Sequence, residues 1–423
     1  MSYLHGIKID VTSDGKREIR EARTSVIGIV GTAETGEDNK PVLIESFKKA
    51  VKTFGAPPVL QDNGQEKIDE LTDEISDIDE KISKETDTKA KTALKKNKKE
   101  KTDALKEIKS SEKAESNYCL VRALEAIYAH GSCLCVCVKV AGSSYPDAIK
   151  SLLNAKALTD YKPNIILAPT MGHDKSVREA LYTVGKELNG VVLFNSPKDK
   201  KSDDAIADVK EYANEKGYNV FYTYGYATGT GNIGELCLAS FVAGLMCKND
   251  SDNGFWTSPS NKVFSGIKSL SNPVSYSMAE NSETNRLNEV GIAVCIREGG
   301  FRLWGSRTLG KDGSVDHLKF LNVLRTSLAI KETIQKSLVW ASDSNIGSAL
   351  IEQVIENISG YLRTLRQRGA IIDGNAWADD DNTPEDIANG KLKISFDYSP
   401  VFPAESILIK QVLTVDYLNQ LIK

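Results

Sequence analysis

The sequence predicts an α/β layer built on a mostly parallel sheet, followed by an α+β unit, and three observations carry that expectation. Short apolar runs alternate with helix-length amphipathic segments from residue 25 to residue 247. A highly charged stretch, from residue 65 to about 114, interrupts that alternation without aromatics. After residue 249 the order changes to a β-hairpin, two long helices and two strands. With 423 residues the chain is long enough for two or three domains, each with its own core.

The elements follow in chain order. Residues 1–23 read as an extended arm, with Ile7, Ile9 and Val11 alternating with polar neighbours. The run Ser25–Gly31 reads as a buried strand, Pro41–Ile44 as a second, and Ser46–Phe54 as a helix stopped by Gly55. Within 65–114, Ile68, Leu71, Ile75, Ile78 and Ile82 form a heptad seam. Ala90, Leu94, Leu105 and Ile108 follow at helix-compatible spacing, and about Thr88 Leu94, Leu105 and Ile108 mirror Ile82, Leu71 and Ile68. The first half is mostly acidic and the second mostly Lys, so an antiparallel helical hairpin inserted in the α/β domain accounts for both features; a disordered charged linker is the competing reading. Helices are then expected at 117–130, 146–157, 176–188, 203–216 and 233–247, and strands at 133–140, 164–168, 190–194 and 219–223. Past residue 249 come a loop-rich stretch, a hairpin turning at Gly299-Gly300, helices near 319–340 and 347–368, and strands ending in Ile407, Ile409, Leu413 and Val415.

Composition excludes several functions. Lys+Arg is 54 and Asp+Glu 58, a net charge of -4, which speaks against a dedicated nucleic-acid binder. No apolar run approaches the roughly 18 residues of a membrane span, and Met1–Asp10 shows no secretory pattern. Seven cysteines without framework spacing are expected to be reduced thiols of a cytoplasmic product.

The chemical motifs are weak. Gly229-Thr230-Gly231-Asn232-Ile233-Gly234 fits G-x-G-x-x-G between a strand and a helix, which makes a dinucleotide-dependent enzyme the alternative reading. However, Asp250 and Asp252, at the distance of a ribose ligand, follow no apolar strand. A Gly-rich strand-to-helix turn is preferred. Cys133, Cys135 and Cys137 near His130 lack the wrapping spacing of a metal knuckle and read as core residues. Asp174 and Ser176, in the loop Pro169–Asp174 and just after it, read as caps of the following helix. Asp379-Asp380-Asp381 reads as an exposed acidic loop. No catalytic residue, cofactor site or metal site is therefore expected.

The second half carries a specific resemblance. Arg297, then Phe301-Arg302-Leu303-Trp304-Gly305-Ser306-Arg307-Thr308, resembles the R-x-G-[FY]-R-x-W-G-x-R-T string of contractile phage tail sheath proteins, with Glu298-Gly299 in place of one residue. Gly390–Val401 resembles the family's G-K-L-x-[IV]-x-[FY]-x-[YF]-x-P-V segment, and Ala404–Leu418 its closing strand. Ser25–Ala33 and Asn39–Val42 match near the start. The order of matches is closest to sheaths of temperate myophages and of the R-type bacteriocins related to them; only the 65–114 insertion departs.

The resemblance implies a structural, non-enzymatic subunit that stacks as six-membered rings around an inner tube. Its partners would be further copies of itself, the inner tail tube protein, and baseplate and tail terminator proteins, with no nucleic acid and no membrane. It would sit in a virion tail or bacteriocin particle assembled in the bacterial host cytoplasm. The implied plan is an N-terminal arm (1–23), an outer α/β domain (24–248), an inner tube-facing α+β domain (249–403) and a C-terminal arm (404–423). Strand-patterned arms would link neighbouring copies. Arg363, Arg366 and Arg368 near the end of a helix either complement its dipole or dock an acidic tube.

Overall fold

The computed structural model of the protein describes residues 21–57, 64–84, 91–92, 94–103, 118–142, 144–213, 219–310 and 316–421. Its centre is an eight-stranded sheet in the order β11-β10-β6-β5-β4-β1-β3-β2. The strands are β1 (Val26–Gly31), β2 (Val42–Ile44), β3 (Leu134–Lys139), β4 (Ile165–Leu167), β5 (Val191–Asn195), β6 (Val220–Thr223), β10 (Ile292–Arg297) and β11 (Phe301–Trp304). From β3 to β10 every pairing is parallel, and β2 and β11 close the edges antiparallel.

Burial on both faces explains why these strands are continuously apolar instead of alternating. Every residue of β1 is buried. Ile27, Ile29, Cys135, Leu167 and Phe221 face the helices Cys119–Tyr128 and Leu238–Asn253. Val26, Val30, Val138, Ile166 and Tyr222 face the helices Tyr145–Ser151, Lys175–Glu187 and Ser202–Ala213. A smaller core lies beyond the sheet, where Ile330, Ile334, Ile358, Leu362 and Ile371 bring together the helices Leu321–Ser337 and Ser348–Gln367 and the strand β12 (Ile371–Ala378). β12 pairs antiparallel with β13 (Ile394–Pro400).

Two expectations are corrected here. The boundary at residue 249 is not where the packing changes: β10 joins β6 through Ile292↔Tyr222 and Ala293↔Thr223, so the hairpin 292–304 completes the large sheet. A Gly-Gly hairpin looks local in sequence, whereas the edge on which it docks is distant in sequence and leaves no periodic signal. The Gly229–Gly234 motif is not a strand-to-helix turn. It joins β7 (Tyr226–Gly229) to β8 (Glu235–Cys237), with β9 (Ile267–Leu270) on the other side of β7. The Gly229 N–H donates to the Gly234 carbonyl at 2.8 Å, closing a hairpin. Gly231 and Gly234 take φ of 65° and 67°, the left-handed region that favours glycine.

In the charged insertion, Gly64–Lys84 is helical, as are 91–92 and 94–103. Lys98 pairs with Asp79 at 2.5 Å, and Lys101 pairs with Glu74. The acidic and basic segments therefore lie side by side, in a register whose midpoints flank position 88, and Ile78 is buried.

Candidate functional site

Both ends of the described chain are fastened to one helix, Leu321–Ser337. At the N-terminal side the Arg325 guanidinium is 5% exposed and forks onto the Asp250 carboxylate, itself 4% exposed. The Nη1 contact to Oδ1 is 2.6 Å, and Nη2 donates to the Thr24 carbonyl at 2.8 Å. Ser25 Oγ donates to the same carboxylate at 2.5 Å. Burial works against the Arg325 charge, but Asp250 outweighs it and the guanidinium pKa is raised. Two turns further along, Thr333 Oγ1 accepts from the Ala22 N–H at 3.1 Å. Asn164 holds the chain where it enters β1, donating to the Arg23 carbonyl at 2.6 Å and accepting from the Val26 N–H at 3.0 Å.

The C-terminal fastening uses the first turn of the same helix. Asn322 Nδ2 donates to the carbonyls of Val401, at 2.9 Å, and of Trp256, at 3.0 Å. Phe402 packs edge-on against Phe320 and His317. Arg307 then grips Glu405 with two parallel bonds of 2.8 and 2.6 Å. Beyond Glu405 the anchoring ends. Ile407, Leu408, Ile409, Leu413 and Val415 are 72%, 95%, 86%, 89% and 73% exposed. Among the described residues no strand forms between 401 and 415, and a short 3-10 turn, Asp416–Leu421, follows.

The other residues of the Arg297–Thr308 string shape this mount. Gly305 has φ of 130°, and a Cβ there would fall 2.9 Å from Ala293 Cα, so only glycine lets the strand pass so close. Arg302 donates to the carbonyls of Glu298, at 2.6 Å, and Asn261, at 2.9 Å. Trp304 meets Tyr276 edge-on, and Arg297 lies over the ring of Phe301. The Thr308 N–H donates to the Lys319 carbonyl at 2.7 Å, steering the chain into the mounting helix. Composition-level reasoning missed Arg325, Asp250, Asn322 and Thr333. An Asn and an Arg three residues apart, interleaved with Leu321, Val323 and Leu324 at the start of the helix, were the available signal.

The remaining expected residues are placed as follows. Ile7, Ile9 and Val11 lie outside the described residues. Arg363 pairs with Glu356, Arg366 with Asp373, and Arg368 with Glu21 while lying 4.8 Å over the Trp256 ring. All three are thus already engaged within the chain, and Arg368 belongs to the N-terminal fastening.

At the carboxyl ends of the parallel strands, where an α/β enzyme would bind its ligand, several polar groups are paired within the chain, while His173 Nδ1 is buried without a hydrogen-bond partner among the described residues. The backbone N–H of Leu120, in the first turn of its helix, donates to the Thr32 carbonyl. Arg178 is held by Asp208 at 2.8 Å and by the Gly172 carbonyl at 3.0 Å. Thr223 donates to Asn195 Oδ1 at 2.7 Å, and Ser196 Oγ accepts from the Gly225 N–H at 3.0 Å. Asp174 caps its helix by accepting from the Val177 N–H at 3.0 Å. Among the described residues, no group of three His, Cys, Asp or Glu is placed to hold a metal ion.

The helix Leu321–Ser337 thus holds both ends of the described chain and leaves an extended, apolar tail exposed beyond Glu405. Comparison with known proteins gives the class. The phage tail sheath protein central domain matches residues 141–309, and the phage tail sheath C-terminal domain matches residues 315–414. The chain belongs to the phage tail sheath family; it is a structural subunit of a contractile tail sheath, and the enzyme reading of the Gly229–Gly234 loop is set aside. It is 26% identical over 447 residues to a putative prophage major tail sheath protein of Pseudomonas aeruginosa, covering 100% of this chain and 99% of the relative. It is 25% identical over 434 residues to the tail sheath protein of Escherichia phage P2, covering 99% and 98%. Its fold matches the helical sheath of the anti-feeding prophage in the contracted state, with a TM-score of 0.66 at 18% identity over 98% of this chain and 100% of the other. The sheath complex of an extracellular contractile injection system in the contracted state matches with a TM-score of 0.65 at 15% identity, over 98% and 99%.

Proposed function

We propose that the protein polymerises as stacked six-membered rings around an inner tube, and that relaxation of this polymer drives the tube through a cell envelope. The observation that carries this reading is the tail beyond Glu405. A chain that exposes Ile407, Leu408, Ile409, Leu413 and Val415 together leaves a large apolar surface in water unless another copy covers it. A receptor of matching geometry exists on every copy. Among the described residues the two-stranded sheet β12-β13 has no further strand at its edges, carries the helix Ser348–Gln367 on one face, and exposes Ile372 and Trp377. Strand addition at such an edge supplies main-chain hydrogen bonds and allows sliding between rings without loss of linkage. The N-terminal stretch around Ile7–Val11 is assigned the matching role at the other end.

In this reading the eight-stranded unit lies outside, the unit centred on Ser348–Gln367 faces the tube, and baseplate and terminator proteins bound the polymer. Arg363 and Arg366 reach the tube only by exchanging Glu356 and Asp373 for its carboxylates. The 65–114 insertion is an antiparallel helical hairpin at the periphery. Its support is the Lys98–Asp79 and Lys101–Glu74 register. The particle is a virion tail or bacteriocin, assembled in the host cytoplasm. Negative-stain microscopy of the purified chain tests the function: hollow helical tubes are expected, and a monomer at every concentration and salt would overturn it.

A further inference from the structure

The same face of the large sheet gathers sulfur beside the N-terminal fastening. Cys133 lies just before β3, half-buried, and its Sγ is 3.6 Å from that of Cys135. Cys247, on the helix Leu238–Asn253, is within hydrogen-bonding reach of Cys133. Its own Sγ donates to the Ser25 carbonyl at 3.7 Å. Cys133 and Cys247 both line a cavity of about 320 Å³ whose wall also includes Ser25, Asp250 and Arg368. No contact used by the sheath reading needs these thiols.

Three thiols in contact do not share charge equally. Cys135 and Cys247 are both pushed well above the ordinary thiol range, Cys135 chiefly by burial and Cys247 by its hydrogen bond to Cys133 and then by burial. Cys133 is the one with access to solvent, and as a thiolate it accepts hydrogen bonds from the other two. Those bonds pull it down to about 5. An accessible thiolate with a neighbouring thiol is the arrangement that thiol–disulfide exchange requires.

We propose that Cys133 is a reactive thiolate toward small disulfides, and that Cys247 resolves the adduct into an internal disulfide across the root of the N-terminal arm. In the first step Cys133 Sγ attacks one sulfur of the small disulfide, forming a mixed disulfide and releasing one thiolate. In the second, Cys247 loses its proton to the medium and attacks Cys133 Sγ, releasing the second thiolate. The two protein thiols are oxidised and the small disulfide is reduced to two thiols. The new bond fastens the start of β3 to the helix that carries Asp250, one hydrogen bond away from Ser25.

The test incubates the full chain with glutathione disulfide, quenches with acid, and measures intact mass without reductant. Wild type is expected to gain one glutathionyl group and then lose it as the internal disulfide forms between Cys133 and Cys247, located by peptide mapping. Cys247→Ser is expected to stop at the adduct, Cys133→Ser to give neither species, and Cys137→Ser to behave as wild type. Circular dichroism checks that each variant is folded. The initial rate in wild type is expected to reach half its maximum near pH 5. Modification of Cys133→Ser at the wild-type rate, an internal disulfide in Cys247→Ser, or a half-maximum near the pH of an ordinary thiol, about 8.5, would each overturn the proposal.

Discussion

β13 and the segment 407–415 are both rich in apolar residues and meet opposite fates. In β13, Ile394, Phe396 and Tyr398 alternate with polar residues, and the strand pairs with β12 along its whole length, Ala378↔Ile394 to Ile371↔Pro400. Between residues 407 and 415 the apolar residues are all aliphatic and more numerous, with Leu408, Gln411 and Val412 breaking the alternation, and no strand forms there among the described residues. The difference is the presence of a partner edge within reach, since a strand's stability lies in its cross-strand pairs and covered face. Arg307, Asn322 and Phe320 hold the chain at Val401–Glu405, and beyond that point its apolar side chains are exposed. In the proposed assembly, the tail finds in another copy what β13 finds in its own chain.

The comparison can be broken most severely by removing the tail. Deleting 406–423 is expected to abolish tube formation, read by sedimentation and microscopy. Thermal unfolding of the subunit should shift by less than about 2 °C, because the removed residues whose burial is described are all exposed. A large drop in melting temperature would show that the tail belongs to the fold.

Damage to the mount should do the reverse. Arg325→Met leaves the Asp250 carboxylate buried without its guanidinium, and is expected to cost about 3–5 kcal/mol in denaturant unfolding. An effect under about 1 kcal/mol would mean the pair is not the anchor its burial implies.

The core, unlike the tail, should also feel pH. His130 Nε2 accepts from the Ser265 N–H at 3.1 Å, so Nδ1 carries the proton and donates to the Ala126 carbonyl at 3.0 Å. Burial, reinforced by the charge of Lys248, lowers its pKa to about 4. Between that value and the ordinary 6.5 the unfolded chain binds a proton that the folded chain refuses. Stability therefore falls as pH drops through that window, by about 2–3 kcal/mol in all for this residue. Denaturant titrations at pH 7 and pH 4 should show that loss in wild type and a smaller one in His130→Gln.

The smallest effect is expected at the β7–β8 turn. Gly231→Ala places a Cβ at φ 65° and should cost about 1–2 kcal/mol. Assembly should remain intact, since the turn serves the core alone.

What was legible in sequence divides along the same line as the comparison. β1, the flanking helices and the two long C-terminal helices were readable, because burial on one or two faces imposes a period on the residues themselves. The Arg297–Thr308 string was readable through its resemblance to the tail sheath family; the geometric needs that Gly305, Arg302 and Arg307 meet came from the structure. Illegible were relations between distant residues: β10 docking on β6, the Asp250–Arg325 fork, and the shared mount for the two ends. The glycines of 229–234 announced a tight turn without saying whether a strand or a helix came next. Arg363, Arg366 and Arg368 looked like free cations because their carboxylate partners lie 7 residues away for Arg363 and Arg366, and 347 for Arg368.

The central claim, that the tail pairs with another copy, is tested most directly by cross-linking in a mixed-isotope polymer. Tubes grown from equal amounts of ordinary and nitrogen-15-labelled chain would be treated with an amine-reactive cross-linker, and peptides containing Lys410 sequenced by mass spectrometry. Cross-links from Lys410 to Lys393 beside β13 are expected to appear as mixed-isotope pairs. If every such cross-link joined peptides of one isotope, the tail would be folding back on its own chain and the account would be contradicted.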